Sequence, residues 1–223
     1  MSVRTGRFGI LGSGRGKAAA AVMACAVMLL AGCGGSGGSA AETAKPVLRG
    51  DVATYALGAT GPGGGVVFYV ATTPFACGTD LGAFCTYLEA LTSEAGKVAW
   101  CSDTRTDVGA NGTAIGTGAA NTQSMVTTGG CTSGAGYSAA NTDSGGFTDW
   151  YLPSTGELYA LWQKRSLFGL DGTFAKNGTN TYWSSSQDTQ FPAQTAITLG
   201  WTMRSWASID KATTVNYRVI RAF

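Results

Sequence analysis

Four cysteines, Cys77, Cys85, Cys101 and Cys131, lie in the body of a 223-residue chain whose first 32 residues read as an export signal. Arg4, Arg7, Arg15 and Lys17 make a basic start, and the apolar run 18–32 follows. That run is too short for a comfortable membrane span and ends in small residues, as a cleaved signal does. Outside the cytoplasm an even cysteine count reads as two disulfides, and such staples restrict the folds open to a loop-rich chain. Three pairings are possible. Cys77–Cys85 and Cys101–Cys131 are favoured because each closes a local loop. The competing reading, a four-thiolate zinc site, wants closely spaced cysteine pairs, and the spacings here are 8, 16 and 30.

The other two cysteines stand outside this framework. Cys25 lies in the signal, and Leu30-Ala31-Gly32-Cys33 resembles the lipobox of bacterial lipoproteins. That resemblance implies removal of residues 1–32 and a lipid-modified Cys33 as the new N-terminus. Buried acyl CH₂ groups would then hold the protein at a membrane of the bacterial cell envelope, outer membrane or extracytoplasmic face. An ordinary secretory signal that happens to contain a cysteine is the alternative. Residues 33–50 have the Gly/Ser-rich composition of a flexible tether, which leaves 51–223 for the folded domain.

Removing the signal reverses the charge balance. Four basic residues leave with it and no acidic one does, so the mature chain holds 11 Lys and Arg against 13 Asp and Glu, a net of −2. A nucleic-acid binder neutralises phosphates with clustered cations, and no such excess exists here. The chain contains no histidine, which removes the commonest general base and metal ligand. No cofactor and no metal are expected.

Local patterns place the elements. The glycine-rich stretch 58–65 feeds an apolar strand at 66–70; a phosphate cradle would need the opposite order, strand then turn then helix. Residues 86–91 and 97–100 read as short strands or turns. The stretch 115–126 reads as a short helix with Thr117 able to cap, and 127–147 as a long surface loop fastened by Cys131. In WYLPSTGELYALW, at 150–162, Ser154 precedes Glu157 by three, the spacing of a capping box. Leu158, Leu161 and Trp162 give the helix one apolar face, and Lys164 and Arg165 suit its C-terminal dipole. Glu157 is therefore read as a cap rather than a catalyst, and an amide there is expected to be tolerated better than loss of the Ser154 hydroxyl. Residues 181–186, 193–201 and 215–223 read as strands, the last with Arg218 and Arg221 as its charged positions.

In order, TGPGGGVVFYV, IGTGAANT, DWYLPSTGEL, YWSSS and NYRVIRAF resemble the Lcl C-terminal domain family of bacterial surface and lipid-anchored proteins, over roughly residues 53–223. The name-giving member is a collagen-like adhesin whose C-terminal domain binds sulfated glycosaminoglycans. The slightly acidic mature chain departs from that pattern, as does the lack of a Gly-X-Y stalk. The WYLPS…EL, YWSSS and RVIR blocks are also similar to C-type-lectin-like folds. The implied fold is α+β: twisted antiparallel sheets with two short helices and long loops, stapled by disulfides.

Three classes of function compete. The leading one is a non-enzymatic adhesin or lectin-like module for a glycan or a surface protein. Its candidate contacts are Trp201, Arg204 and Trp206, two stacking faces and a planar cation within six residues. Packing of one or both tryptophans beneath the loop is the bland alternative, since 201 and 206 cannot share one face of a regular strand. An enzyme of formylglycine-generating type would need late cysteines, and none follows Cys131. Asp143, Asp149 and Asp188 are scattered and read as solvated or turn residues. A structural envelope lipoprotein without a discrete ligand is the third class.

Overall fold

The computed structural model describes residues 53–93, 95–166 and 181–223, so the expected signal, Cys33 and the tether lie outside the described residues. The chain runs β1 (Val66–Cys77), β2 (Ala83–Ala90), β3 (Ala95–Val98), α1 (Gly118–Thr127), α2 (Ala135–Ala140) and α3 (Thr155–Lys164). It continues with β4 (Thr181–Gln187), β5 (Thr195–Gly200), β6 (Ser205–Asp210), β7 (Val215–Tyr217) and β8 (Ile220–Ala222). One sheet has the order β1-β2-β8, the other β3-β7-β4-β5-β6, and all pairings are antiparallel except β4 with β7. The protein is therefore α+β, with mostly antiparallel sheets and a few short helices. Cys77–Cys85 crosses the β1–β2 hairpin, and Cys101–Cys131 ties the segment after β3 to the segment after α1.

The glycine-rich turn does cradle a carboxylate, but one supplied by the fold itself. The Gly63 and Gly65 amides donate to the two oxygens of Glu89, each at 3.0 Å. A Cβ at Gly61 would run into the Glu89 carboxylate, and one at Gly63 would stand 2.6 Å from the Trp150 ring. Arg221 completes the cluster, 3.1 Å from Glu89 and also bonded to Asp149. Glu89 is fully buried and Arg221 nearly so, which such groups tolerate only when paired.

The last segment differs from its expected form. It is two strands in different sheets, β7 beside β4 and β8 beside β2. At the crossing, buried Arg218 donates through Nη1 to the carbonyls of Leu91, Thr92 and Ser93 at 2.9–3.1 Å. The charged positions Arg218 and Arg221 are thus buried internal fasteners, because each finds oxygen acceptors contributed by distant parts of the chain.

The stretch expected to be a surface loop, 127–147, contains α2, so three helices are described rather than two. Its buried residues are Ala135, Gly136 and Ala139, small enough for the helix to lie against Met125; a Cβ on Gly136 would stand 2.8 Å from the Met125 sulfur. Thr117 stands at the N-cap position of α1, but its side chain makes no capping bond. Its hydroxyl instead donates to the Ala114 carbonyl at 2.8 Å, within the preceding turn.

Helix α3 begins at a full capping box. Ser154 Oγ accepts from the Glu157 amide, and the Ser154 amide donates to Glu157 Oε2 at 2.8 Å. Glu157 Oε1 further accepts from the Gly116 amide and the Tyr151 hydroxyl, at 2.9 and 3.0 Å. Burial pushes the Glu157 carboxyl up, opposed chiefly by the bonds from Ser154 and Gly116. Burial, and then the Glu157 charge, hold the Tyr151 phenol well above its ordinary range. Leu158 and Leu161 pack into a core with Phe68, Leu88, Tyr182, Leu199 and Ile220. A second core cluster forms around Trp100, Trp150 and Trp183.

Candidate functional site

Helix α3 packs on β1, β4 and β5. Strand β6 is the end strand of the five-stranded sheet, beside β5. This strand was not expected: residues 200–212 read as a connection between strands, whereas 205–210 pair along the whole of β5. Ser205, Trp206, Ala207 and Ser208 are exposed. Between α3, β5 and β6 lies an open groove of about 650 Å³. Ile197 contributes to its floor, and Thr155 and Tyr159 of α3 to one wall.

The three contact candidates separate here. Trp201 opens the β5–β6 turn and is only 5% exposed, set against Tyr182 with ring centroids 5.0 Å apart. Its backbone carbonyl accepts the Trp162 indole N–H at 2.7 Å. Trp201 is therefore a core residue, which corrects the expectation that it offers a stacking face. Trp206 is 44% exposed and lines the groove with Arg204. The turn decides this: four residues link Gly200 to Ser205, turning one tryptophan under the hairpin and leaving the other on its open face.

Arg204 closes that turn with a φ of 50°, the left-handed region that β-carbon sterics disfavour. Its guanidinium sits 5.8 Å from the Tyr159 ring centre and 5.7 Å from that of Trp162. It also donates to the Tyr159 hydroxyl at 3.2 Å. Tyr159 and Trp162 stack with centroids 5.9 Å apart and planes at 9°, while Trp206 stands tilted 46° to Tyr159. The result is a corner of aromatic faces around one cation, with Thr113, Thr155 and Ser208 also lining the groove.

Tyr159 and Thr113 were not singled out from sequence. Helix periodicity marks position 159 only as the flank of the apolar stripe. Thr113 arrives through long-range fastening: Asn121 bonds Gly112 through both amide atoms, Ser186 Oγ donates to the Gly112 carbonyl, and the Gly156 amide takes the Thr113 carbonyl at 2.8 Å. The buried serines of YWSSS thus hold the loop beside the start of α3.

The far end of β6 is anchored by Lys211, buried against Trp100 with Nζ 4.4 Å from the ring centre. Its ammonium donates to the carbonyls of Thr106 and Pro192 at 2.9 and 2.7 Å, and to the Gln187 side chain at 3.4 Å. Burial lowers its pKa to about 8, with Asp107 and Asp103 opposing the shift. Asp188 is a turn residue that accepts from the Gln190 amide, Asp149 pairs with Arg221, and Asp143 is exposed. Among the described residues no group of three or more Cys, Asp or Glu side chains could hold a metal ion, and no helix is long and apolar enough to cross a membrane.

A second cleft of about 480 Å³ lies beside the Cys77–Cys85 hairpin tip and α1, with Trp150, Asp149 and Arg221 in its wall. It has no exposed tryptophan. No protein-family model matches the chain, and no curated protein matches it.

Proposed function

We propose that this chain is a lipid-anchored bacterial cell-envelope protein whose folded part is a non-enzymatic binding module for a glycan or surface-protein ligand. Its domain would belong to the Lcl C-terminal type with a C-type-lectin-like architecture. Support for that architecture comes from the first and last strands sharing one sheet through β2, and from loops stapled by two disulfides. The observation that carries the functional reading is the groove beside α3. An exposed tryptophan and an exposed arginine held in a disfavoured backbone conformation are displayed there, both against Tyr159 of α3. Exposed aromatic and arginine side chains in a concave site are the groups that most often carry binding energy, and strain concentrates at such sites.

The test is a screen of the intact chain against glycan and envelope-protein arrays, alongside the Tyr159→Ala/Trp206→Ala variant. The reading expects a ligand that the wild type retains and the variant loses while its melting temperature stays within a few degrees. A ligand held equally by both proteins places the site elsewhere. For the anchor, Cys33→Ser is expected to move the protein from the membrane fraction to the soluble fraction; unchanged partition contradicts lipidation.

A further inference from the structure

The groove at α3 and β6 has a chemistry more specific than a general contact surface. Among the described residues lining it, Arg204 is the sole charged group; the rest are Thr, Ser, Gly, Ala, Ile, Tyr and Trp. The pairing of Arg221 with Glu89 and Asp149, and of Arg105 with Asp210, shows how other arginines here are neutralised. Arg204 meets no carboxylate among the described residues; its contacts are the Tyr159 hydroxyl and two ring faces. A cationic ligand would find repulsion and no partner in this groove. A polyanion would find one positive charge on a domain whose expected mature chain is net −2. The matching ligand carries a single anionic group beside a flat apolar face.

We propose that the groove is a subsite for a glycosyl unit bearing one carboxylate, of the uronic-acid class, an inference that rests on the groove being the binding site. The weakly polar C–H face of a pyranose suits the exposed Trp206 ring, and the carboxylate suits the planar fork of Arg204, which can receive it bidentately. Thr113, Thr155 and Ser208 also line the groove; the Thr155 hydroxyl donates to the Thr113 carbonyl at 3.3 Å and the Ser208 hydroxyl bonds Asp188, each keeping oxygen lone pairs that can accept from sugar hydroxyls. The volume, about 650 Å³, falls within the range of small-ligand sites. The left-handed backbone of Arg204 fits the same picture. Glycine or asparagine adopts that conformation more readily than arginine, so the turn on its own favours another residue, and the guanidinium is what arginine brings to the position.

The test uses the intact chain titrated with a uronic-acid oligosaccharide, its neutral counterpart of the same linkage, and a sulfated polysaccharide, read by tryptophan fluorescence and calorimetry. The proposal expects the uronate to bind at least tenfold more tightly than the neutral sugar, with the salt dependence of a single charge pair. It expects Arg204→Gly and Arg204→Asn to abolish that preference while melting at or above the wild-type temperature, and Trp206→Ala to weaken both sugars. Equal binding of uronate and neutral sugar, with loss in Trp206→Ala, overturns the carboxylate assignment and leaves the groove reading standing. Uronate binding unaffected by Trp206→Ala and Tyr159→Ala overturns both. Tighter binding of the sulfated polymer, with a salt dependence of several charges, also overturns the proposal.

Discussion

Replacing Glu89 by glutamine exchanges one oxygen for an amide nitrogen and keeps the side-chain shape, so the stability lost measures the glycine cradle's hydrogen bonding rather than its packing. Every group facing the carboxylate is a donor. Oε1 takes the Gly63 amide at 3.0 Å and Arg221 at 3.1 Å, and Oε2 takes the Gly65 amide at 3.0 Å. An amide NH₂ has no acceptor at either position. Turned towards Gly65, it leaves a buried N–H without a partner, at about 1–3 kcal/mol. Arg221 then keeps only Asp149, whose side chain is 58% exposed, as its anion. Removing one partner of a buried ion pair costs about 3–5 kcal/mol. These two figures describe one rearrangement from two sides, so the expected loss is about 3–5 kcal/mol rather than their sum. The assay is urea unfolding followed by tryptophan fluorescence, with Asp210→Asn as control. That residue's pair with Arg105 is exposed on both sides, and such pairs contribute about 0–1 kcal/mol. A Glu89→Gln loss no larger than the control's, with an unchanged m-value, would refute the reasoning.

Three further outcomes follow from the same packing. Trp201→Ala is expected to cost about 3–5 kcal/mol and Trp206→Ala under about 1 kcal/mol, measured by thermal unfolding; equal costs would contradict the split between core and groove. Ser154→Ala is expected to cost about 0.5–2 kcal/mol. Glu157→Gln, at about 1–3 kcal/mol, should be at least as damaging, because Gly116, Tyr151 and Ser154 all donate to that carboxylate. A harmless Glu157→Gln would restore the simpler capping-only account. For Lys211 the folded pKa, about 8, lies below the ordinary 10.5. Between those values the unfolded chain binds the extra proton, so this residue's contribution to stability rises with pH. Wild type should therefore gain on Lys211→Met from pH 8 to 10.5, by up to about 3 kcal/mol, in denaturation midpoints compared at each pH. A flat or falling difference would contradict it.

Local signals were legible in the sequence and long-range ones were not. The capping box was readable because its two partners lie three residues apart and each bonds the other's backbone. The strand at the glycine-rich turn was readable too, but the turn's purpose was not, since Glu89 lies far along the chain and its own neighbours give no sign of burial. Helix α2 hid in a stretch of Gly, Ala and Ser, because its buried side is made of small residues with no apolar periodicity. Strand β6 hid for the opposite reason: among the described residues it pairs only with β5, and its first four residues are exposed on both faces, so no alternation of buried and exposed positions marks it. Arg218 and Arg221 read only as charged positions of a strand, and their burial was not legible because their acceptors, three carbonyls and two carboxylates, come from β2, the segment after it and the approach to α3. At the candidate site the sequence singled out Trp201, Arg204 and Trp206 as contact candidates and left open whether a tryptophan packs beneath the loop; the four-residue turn puts Trp201 underneath and leaves Arg204 and Trp206 lining the groove. Tyr159, which faces them, belongs to a helix whose apolar stripe alone carries the sequence signal.

The central claim is that ligand is met at the groove between α3 and β6. The most direct measurement is a two-dimensional ¹H–¹⁵N spectrum of the six tryptophan indole N–H groups, titrated with the ligand found by the array screen. Trp100 and Trp183 donate internally to the Ser184 and Val98 carbonyls, and Trp150 belongs to the wall of the second cleft. The account predicts that the Trp206 signal moves most, that Trp162 moves through Arg204 and Tyr159, and that Trp100, Trp150 and Trp183 stay in place. Movement of Trp150 with Trp206 unchanged would contradict it and put the ligand in the cleft beside the Cys77–Cys85 hairpin.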